Sequence, residues 1–355
     1  MNRIARVVRW LVSLFVVLFI GTIFVLSGFR IAAAKREVLS RSEAAPSTGQ
    51  FVQTGDVRMF VQEDGPTDGP PVVFIHGTGA WSEIWRGPMH ALAGAGYRAI
   101  ALDMPPFGFS TRPTSADYSD SAQARRILVT LDSLGLKRVT FVGHSFGGRP
   151  TMEATFMAPE RVSRLVLVDA ALDLMRGCGD AKGGCGTATA HTAPTTDTTG
   201  SWFKRELLNT PLTRNAIVAS TLSNPHLTGW LLSKLVYNRD SAVTPARIAM
   251  LQRPFVLQEW TPGLGAWLGP FATTRTSSMA TDRSRYAKLV VPTMVLWGAK
   301  DSITPIVQGQ DLVHLIPGAR LEVLPLAGHI PAIEDERTFN AALLEFLRDT
   351  TRTRR

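Results

Sequence analysis

Cysteine is nearly absent from this 355-residue chain, and its scarcity closes off several kinds of chemistry. The two that occur, Cys178 and Cys185, make half of a structural zinc site with His191 as the only nearby imidazole, so no metal is expected. They lie in the flexible stretch 176–186, where a small disulfide loop would close easily in an oxidising compartment; two free thiols are the alternative. The body of the chain also lacks a surplus of charge. The formal net charge is +9, but seven basic side chains stand against Glu37 within residues 1–41, and four against Asp349 within 348–355. The remainder is neutral, which argues against an extended phosphate-binding surface and so against nucleic acid as a partner.

Charge is missing altogether from Trp10 to Phe29, twenty almost wholly apolar residues between Arg3, Arg6 and Arg9 on one side and Arg30, Lys35 and Arg36 on the other. A helix of that length spans a bilayer core, whereas the apolar part of a cleavable signal has about 7–15 residues. The reading is a signal anchor: a cytoplasmic stub over 1–9, a lipid bilayer contact through residues 10–29, and a linker over 30–50 whose residues 40–50 are polar and small. Basic residues on both flanks nearly balance the positive-inside rule, and the short stub favours export of the large domain to the periplasmic or extracellular side. Ala32-Ala33-Ala34 resembles a cleavage site, so removal of the segment is the alternative.

What the chain does contain is organised around residues 138–148, Arg-Val-Thr-Phe-Val-Gly-His-Ser-Phe-Gly-Gly. An apolar β-branched run enters the turn and a helix-compatible segment, 149–158, leaves it, with Ser145 at the apex. In such a G-x-S-x-G turn the serine backbone is strained, and small residues two before and two after it, here Gly143 and Gly147, let strand and helix approach.

Around that turn, short β-rich runs alternate with helical patterns. Strands are predicted at 71–75, 97–102, 138–142, 164–169, 292–297 and 320–325, and helices at 85–94, 119–134, 146–158, 304–315 and 335–349, after a hairpin over 51–63. The alternation predicts a doubly wound, mostly parallel α/β sheet over residues 51–170 and 286–350, with the hairpin added at one edge. Residues 171–285 break the pattern and read as a helical cap insertion. Trp202, Trp230, Trp260 and Trp267 fall within it and predict an apolar roof.

A serine nucleophile needs a histidine base oriented by a carboxylate. Both follow in chain order at strand ends: Asp301 after Val291–Gly298, and His329 after Ala319–Pro325. Asp169, at the end of another strand, is the alternative acid. The oxyanion donors are expected to be the amides of Phe146 and of Thr78, in the turn His76-Gly77-Thr78-Gly79, with His76 bracing that turn. Asp103 is expected to tie its loop to Ser110, and His144, His191, His226 and His314 are not expected to act as the base.

Through HGTG at 76–79, DMPPFGFS at 103–110, GHSFGG at 143–148, GAKDSITP at 298–305 and AGHIP at 327–331, the chain resembles α/β-hydrolase fold proteins of the serine-nucleophile branch with an inserted cap. The resemblance covers about residues 50–350 and implies Ser145 as nucleophile, His329 as base then acid, Asp301 as orienting carboxylate, and no cofactor. Serine at 145 argues against the dehalogenase and epoxide hydrolase branches, which use aspartate there. The expected activity is hydrolysis of an ester, thioester or amide of a small apolar acyl substrate through an acyl-enzyme. Carbon–carbon bond hydrolysis of the meta-cleavage product type and cofactor-free perhydrolysis are alternatives, and a membrane-tethered binding protein on the same fold is the non-enzymatic one.

Overall fold

The computed structural model describes residues 3–174, 205–273 and 277–349. Eight strands form one sheet: β1 (Gly49–Gln53), β2 (Arg58–Asp64), β3 (Pro71–Ile75), β4 (Arg98–Leu102), β5 (Val139–His144), β6 (Val162–Val168), β7 (Thr293–Gly298) and β8 (Arg320–Leu324). Their spatial order is β1-β2-β4-β3-β5-β6-β7-β8. The β1–β2 hairpin is antiparallel and β2 meets β4 antiparallel; every other pairing is parallel.

Alternation along the strands separates two cores. On β3, Val73 and Ile75 join a cluster on one face with Ile127 and Leu131 of the helix Asp120–Ser133, Met152 of the helix Gly148–Met157 and Leu312 of the helix Ile306–Leu315. Val72 and Phe74 point the other way, toward Met89 of the helix Arg86–Gly94 and Phe339 and Leu343 of the helix Glu336–Arg348. Burying both faces is what a near-continuous apolar strand requires. From β3 the chain crosses to β4 on one side and later returns to β5 on the other. The ends of β3 and β5 therefore flank the crevice where the winding reverses, the place where open α/β sheets put their sites.

The interval after β6 is helical where described, with helices Pro211–Ser220, Pro225–Leu235, Pro245–Gln252 and Trp260–Thr273. Of the tryptophans expected as a roof, Trp260 and Trp267 are buried, Trp230 is 56% exposed, and Trp202 lies outside the described residues. Cys178, Cys185 and His191 also lie outside them. The last part of the interval packs on the core: Tyr286 belongs to the first cluster and donates to the Ala280 carbonyl, and the Ala280 amide bonds Glu153.

The N-terminal helix runs unbroken over Arg3–Arg36, longer than the apolar span itself, and its most apolar window is uncovered by protein. Residues 30–50, expected to be a linker, are built into the domain instead. Leu39 pairs with Leu257 in a short parallel bridge, Arg36 donates to the carbonyls of Ser223 and Phe255, and Arg41 donates to that of Ser110. Ser40 and Glu43 form a capping box on the short helix Arg41–Ala44, and β1 begins at Gly49. Small polar composition signals a linker only when those residues find no partners; here the cap supplies them.

Candidate active site

Strand β5 ends at His144 in extended backbone, and Ser145 follows at φ 49°, in the left-handed region that an ordinary residue avoids. Ser145 is held there by crowding on all sides. A Cβ on Gly147 would collide with the His76 carbonyl, and one on Gly143 with the Thr151 side chain, so neither position admits a larger residue. Thr151 donates to the Gly147 carbonyl at 2.7 Å, locking the turn to the helix that follows.

The three candidates for the relay meet. Ser145 Oγ lies 2.8 Å from His329 Nε2, and His329 Nδ1 lies 2.8 Å from Asp301 Oδ2. All three are buried. Asp301 is held from every direction: its Oδ1 accepts the amides of Ile303 and Thr304, and its Oδ2 accepts the Thr304 hydroxyl at 2.6 Å. Burial alone would raise this carboxyl, but the hydrogen bonds and charge of His329 and the Thr304 hydroxyl outweigh it and hold the group below the usual range.

Asp169 occupies a different position. Its Oδ1 accepts the Gly298 amide at 2.9 Å, its carboxyl faces that of Asp301, to which the protonated acid donates, and neither of its oxygens is in hydrogen-bond contact with His329. Burial, and then the neighbouring Asp301 charge, push its carboxyl well above the ordinary range. A neutral acid fits that place better than an orienting carboxylate does.

The turn after β3 approaches Ser145 directly. A Cβ on Gly77 would stand 3.0 Å from Ser145 Cβ and 2.8 Å from His144 Nδ1, so glycine lets this turn lie against the serine. His76 accepts the Met104 amide at Nε2, 2.9 Å away, and faces the Gly77 carbonyl with Nδ1 at 2.8 Å. Burial lowers it to about 4, so it is a neutral brace. His144 is likewise kept neutral, lowered to about 3 by burial and by the His329 charge, and its Nε2 donates to the His329 carbonyl at 2.7 Å. Asp103 accepts the amides of Ser82 and Phe109, and its carbonyl accepts the Ser110 hydroxyl, which ties down that loop; burial raises its carboxyl to about 6. His226 and His314 are exposed.

Three supports went unread in the sequence. Thr304 carries a hydroxyl within reach of both Asp301 and His329 Nδ1, at 2.6 and 3.3 Å. Glu334 is buried and accepts the amides of Gly328 and Ile330, on either side of His329, each at 2.9 Å. The same carboxylate accepts Tyr237 and Asn238 from the cap at 2.6 and 2.9 Å, and the His329 amide donates to Leu235. Over the serine, Phe146 meets Trp267 and Phe271 of the cap and Phe107 of the core edge-on, at centroid distances of 5.9–6.3 Å. Among the described residues no group of acids, histidines and cysteines is arranged to hold a metal ion.

The family described as alpha/beta hydrolase fold matches residues 70–336, three quarters of the chain. The chain belongs to it. Within this α/β-hydrolase family it is 28% identical over 323 residues to an uncharacterised protein of Mycobacterium tuberculosis, covering 89% of this chain and 86% of the relative. To a 2-hydroxymuconate semialdehyde hydrolase of Pseudomonas sp. strain CF600 it is 28% identical over 316 residues, covering 87% and 97%. Among solved structures, a membrane phospholipase A described as a bacterial virulence factor superposes with a TM-score of 0.63 at 22% identity, covering 98% of each chain. A meta-cleavage product hydrolase from Pseudomonas fluorescens IP01 superposes with a TM-score of 0.66 at 24% identity, covering 86% of this chain and 99% of that one. At these identities the superpositions speak to the fold.

Proposed function

We propose that this hydrolase is a membrane-anchored serine esterase that cleaves an ester, thioester or amide through an acyl-enzyme. The observation that carries the reading is the relay of two 2.8 Å contacts from Ser145 through His329 to Asp301, with the serine strained at the end of β5. In this mechanism His329 Nε2 takes the Ser145 proton as Oγ attacks the acyl carbon. The amides of Thr78 and Phe146 receive the developing oxyanion, each worth about 3 kcal/mol. Asp301 stabilises the imidazolium, which then protonates the leaving group. A water enters, gives its proton to the same nitrogen, attacks the acyl-enzyme, and the free acid and Ser145 are regenerated.

The aromatic surroundings of Phe146 favour an apolar acyl group. The relatives named as hydrolases of ring-cleavage products support a second reading, carbon–carbon bond hydrolysis with the same triad. The helix Arg3–Arg36 is long and apolar enough to cross a membrane, and Ala33, in its small-residue run, is buried against the domain, which supports retention of the helix rather than cleavage. The short basic stub then stays in the cytoplasm and the domain lies outside.

The test uses the full chain in detergent, offered short p-nitrophenyl esters and a vinylogous diketone side by side. Ester turnover that Ser145→Ala abolishes is the expected result. Turnover of the diketone alone would establish the second reading, and ester turnover that survives in the alanine variant would end the assignment.

A further inference from the structure

We propose that the cap face carrying Leu212 lies in the headgroup layer of the bilayer that holds the anchor, and that Ser145 draws an acyl lipid ester from that layer. The proposal rests on the reading of residues 10–29 as a membrane span and of Ser145 as nucleophile. It begins with where the anchor helix touches protein. Leu26, Phe29, Arg30, Ala33 and Arg36 are its covered or half-covered positions, a stripe with helical spacing, and the helix packs against Pro211–Ser220. Leu26 and Phe29 belong to the apolar span. At about 1.5 Å per residue, Ala33 stands only about 6 Å beyond Phe29, so the cap helix that covers this stripe sits at the hydrocarbon boundary.

The angle is fixed as well as the depth. The helix continues to Arg36 without a break, and the chain then stays fastened to the cap. Arg36 donates to Ser223 at 2.7 Å, the Leu39 amide donates to Val256 at 3.0 Å, and the Gln258 amide donates to Leu39 at 2.9 Å. The Glu37 carboxylate accepts both the amide and the hydroxyl of Thr261, at the start of the helix Trp260–Thr273. A domain joined this way cannot turn its cap from the membrane as one on a flexible tether could.

The surface so presented carries exposed apolar side chains among polar ones. Leu212 is 78% exposed, on the helix that packs against the anchor. That helix also packs against Trp260–Thr273, whose Phe271 is 44% exposed and stacks on Trp267 at 4.5 Å. Both rings reach Phe146, the neighbour of Ser145. Val218 of the helix on the anchor and Leu264 and Trp267 of the next one share a buried apolar cluster against which Phe146 packs, so apolar packing links the anchored cap to the neighbour of the serine. Each turnover would consume one lipid ester and one water and release a fatty acid and the alcohol.

Two measurements test this on the full chain in phosphatidylcholine–phosphatidylglycerol vesicles. In a chain with Cys178→Ser and Cys185→Ser, an environment-sensitive fluorophore on Leu212→Cys should be quenched by nitroxide-bearing lipids. The same label on Val290→Cys, 90% exposed and just before the start of β7, at the end of the parallel strands away from Ser145, should not be. Equal quenching at the two sites overturns the membrane face, and this readout is independent of turnover. Leu212→Glu should lower hydrolysis of vesicle phospholipid about tenfold, the equivalent of about 1.4 kcal/mol, and leave p-nitrophenyl butyrate turnover unchanged. An equal fall on both substrates, or on neither, overturns the lipid route. A parent chain that hydrolyses neither substrate refutes the hydrolase reading while the quenching comparison still decides the membrane face.

Discussion

Exchange of Glu334 for glutamine isolates how His329, the proposed base, is held. Its Oε2 accepts the amides of Gly328, Tyr237 and Asn238, and its Oε1 accepts that of Ile330. A glutamine in the same pocket keeps the three bonds if its oxygen takes the Oε2 place, and its NH2 then faces the Ile330 N–H, donor against donor. One bond to a charged acceptor is lost, worth about 1.5–3 kcal/mol, and a buried amide is left unpaired at a further cost of about 1–3 kcal/mol. A net loss of about 3–4 kcal/mol corresponds to a fall in melting temperature of about 6–8 °C for a domain of this size. Since Gly328 and Ile330 flank His329, kcat should drop about a hundredfold, as a displacement near 1 Å does. Thermal unfolding and ester kinetics in detergent measure the two effects separately. A melting temperature within a degree of the parent's, with kcat unchanged, would refute this account of the histidine loop.

Asp301→Asn should cut kcat by about four orders of magnitude at little cost in stability, because the histidine is left in the wrong tautomer; a rate near the parent's in ester kinetics counts against Asp301. Asp169→Asn, which replaces a neutral acid by a neutral amide, should change kcat by less than about tenfold; loss on the Asp301 scale would make Asp169 the acid. The same variant predicts a pH effect. Near pH 5 the unfolded chain binds protons on His76 and His144 that the folded chain refuses, while the folded chain binds protons on Asp103 and Asp169 that the unfolded chain has released. These groups nearly cancel in the parent. Without Asp169, stability should fall as pH drops from 6 to 4, by about 1.4 kcal/mol per unit, and denaturant titrations at several pH values would detect a slope or its absence. A carbonate wash of membranes should leave the full chain in the pellet, and release of a shortened soluble form would show that residues 10–29 are removed.

The sheet was legible because buried parallel strands announce themselves as apolar runs, and β3 to β8 lie within two residues of where periodicity puts them. The relay was legible because its members sit at strand ends in a fixed order. What stayed hidden depends on partners far apart in sequence. Glu334 looks like any surface glutamate until Tyr237 and Asn238 are folded over it. The segment 40–50 has the composition of a tether, yet Leu39, just before it, finds a β-partner 218 positions away and Arg41 within it bonds the Ser110 carbonyl. One local clue was present: Ser40-Arg41-Ser42-Glu43 has the spacing of a capping box, which announces a helix start. Trp230 misled because an aromatic count says nothing of which side of a cap helix each ring occupies.

The bond from the His329 amide to the Leu235 carbonyl bears on how such proteins change their substrates. An insertion between two strands invites exchange of the whole segment between relatives as an interchangeable module. Here residues 235–238 belong to the His329 loop as much as to the cap. A chimera joined near residues 171 and 285 would import a foreign support for the base together with its new roof. Transplants that retain Leu235 to Asn238 from the recipient keep that support in place and leave the aromatic wall free to vary.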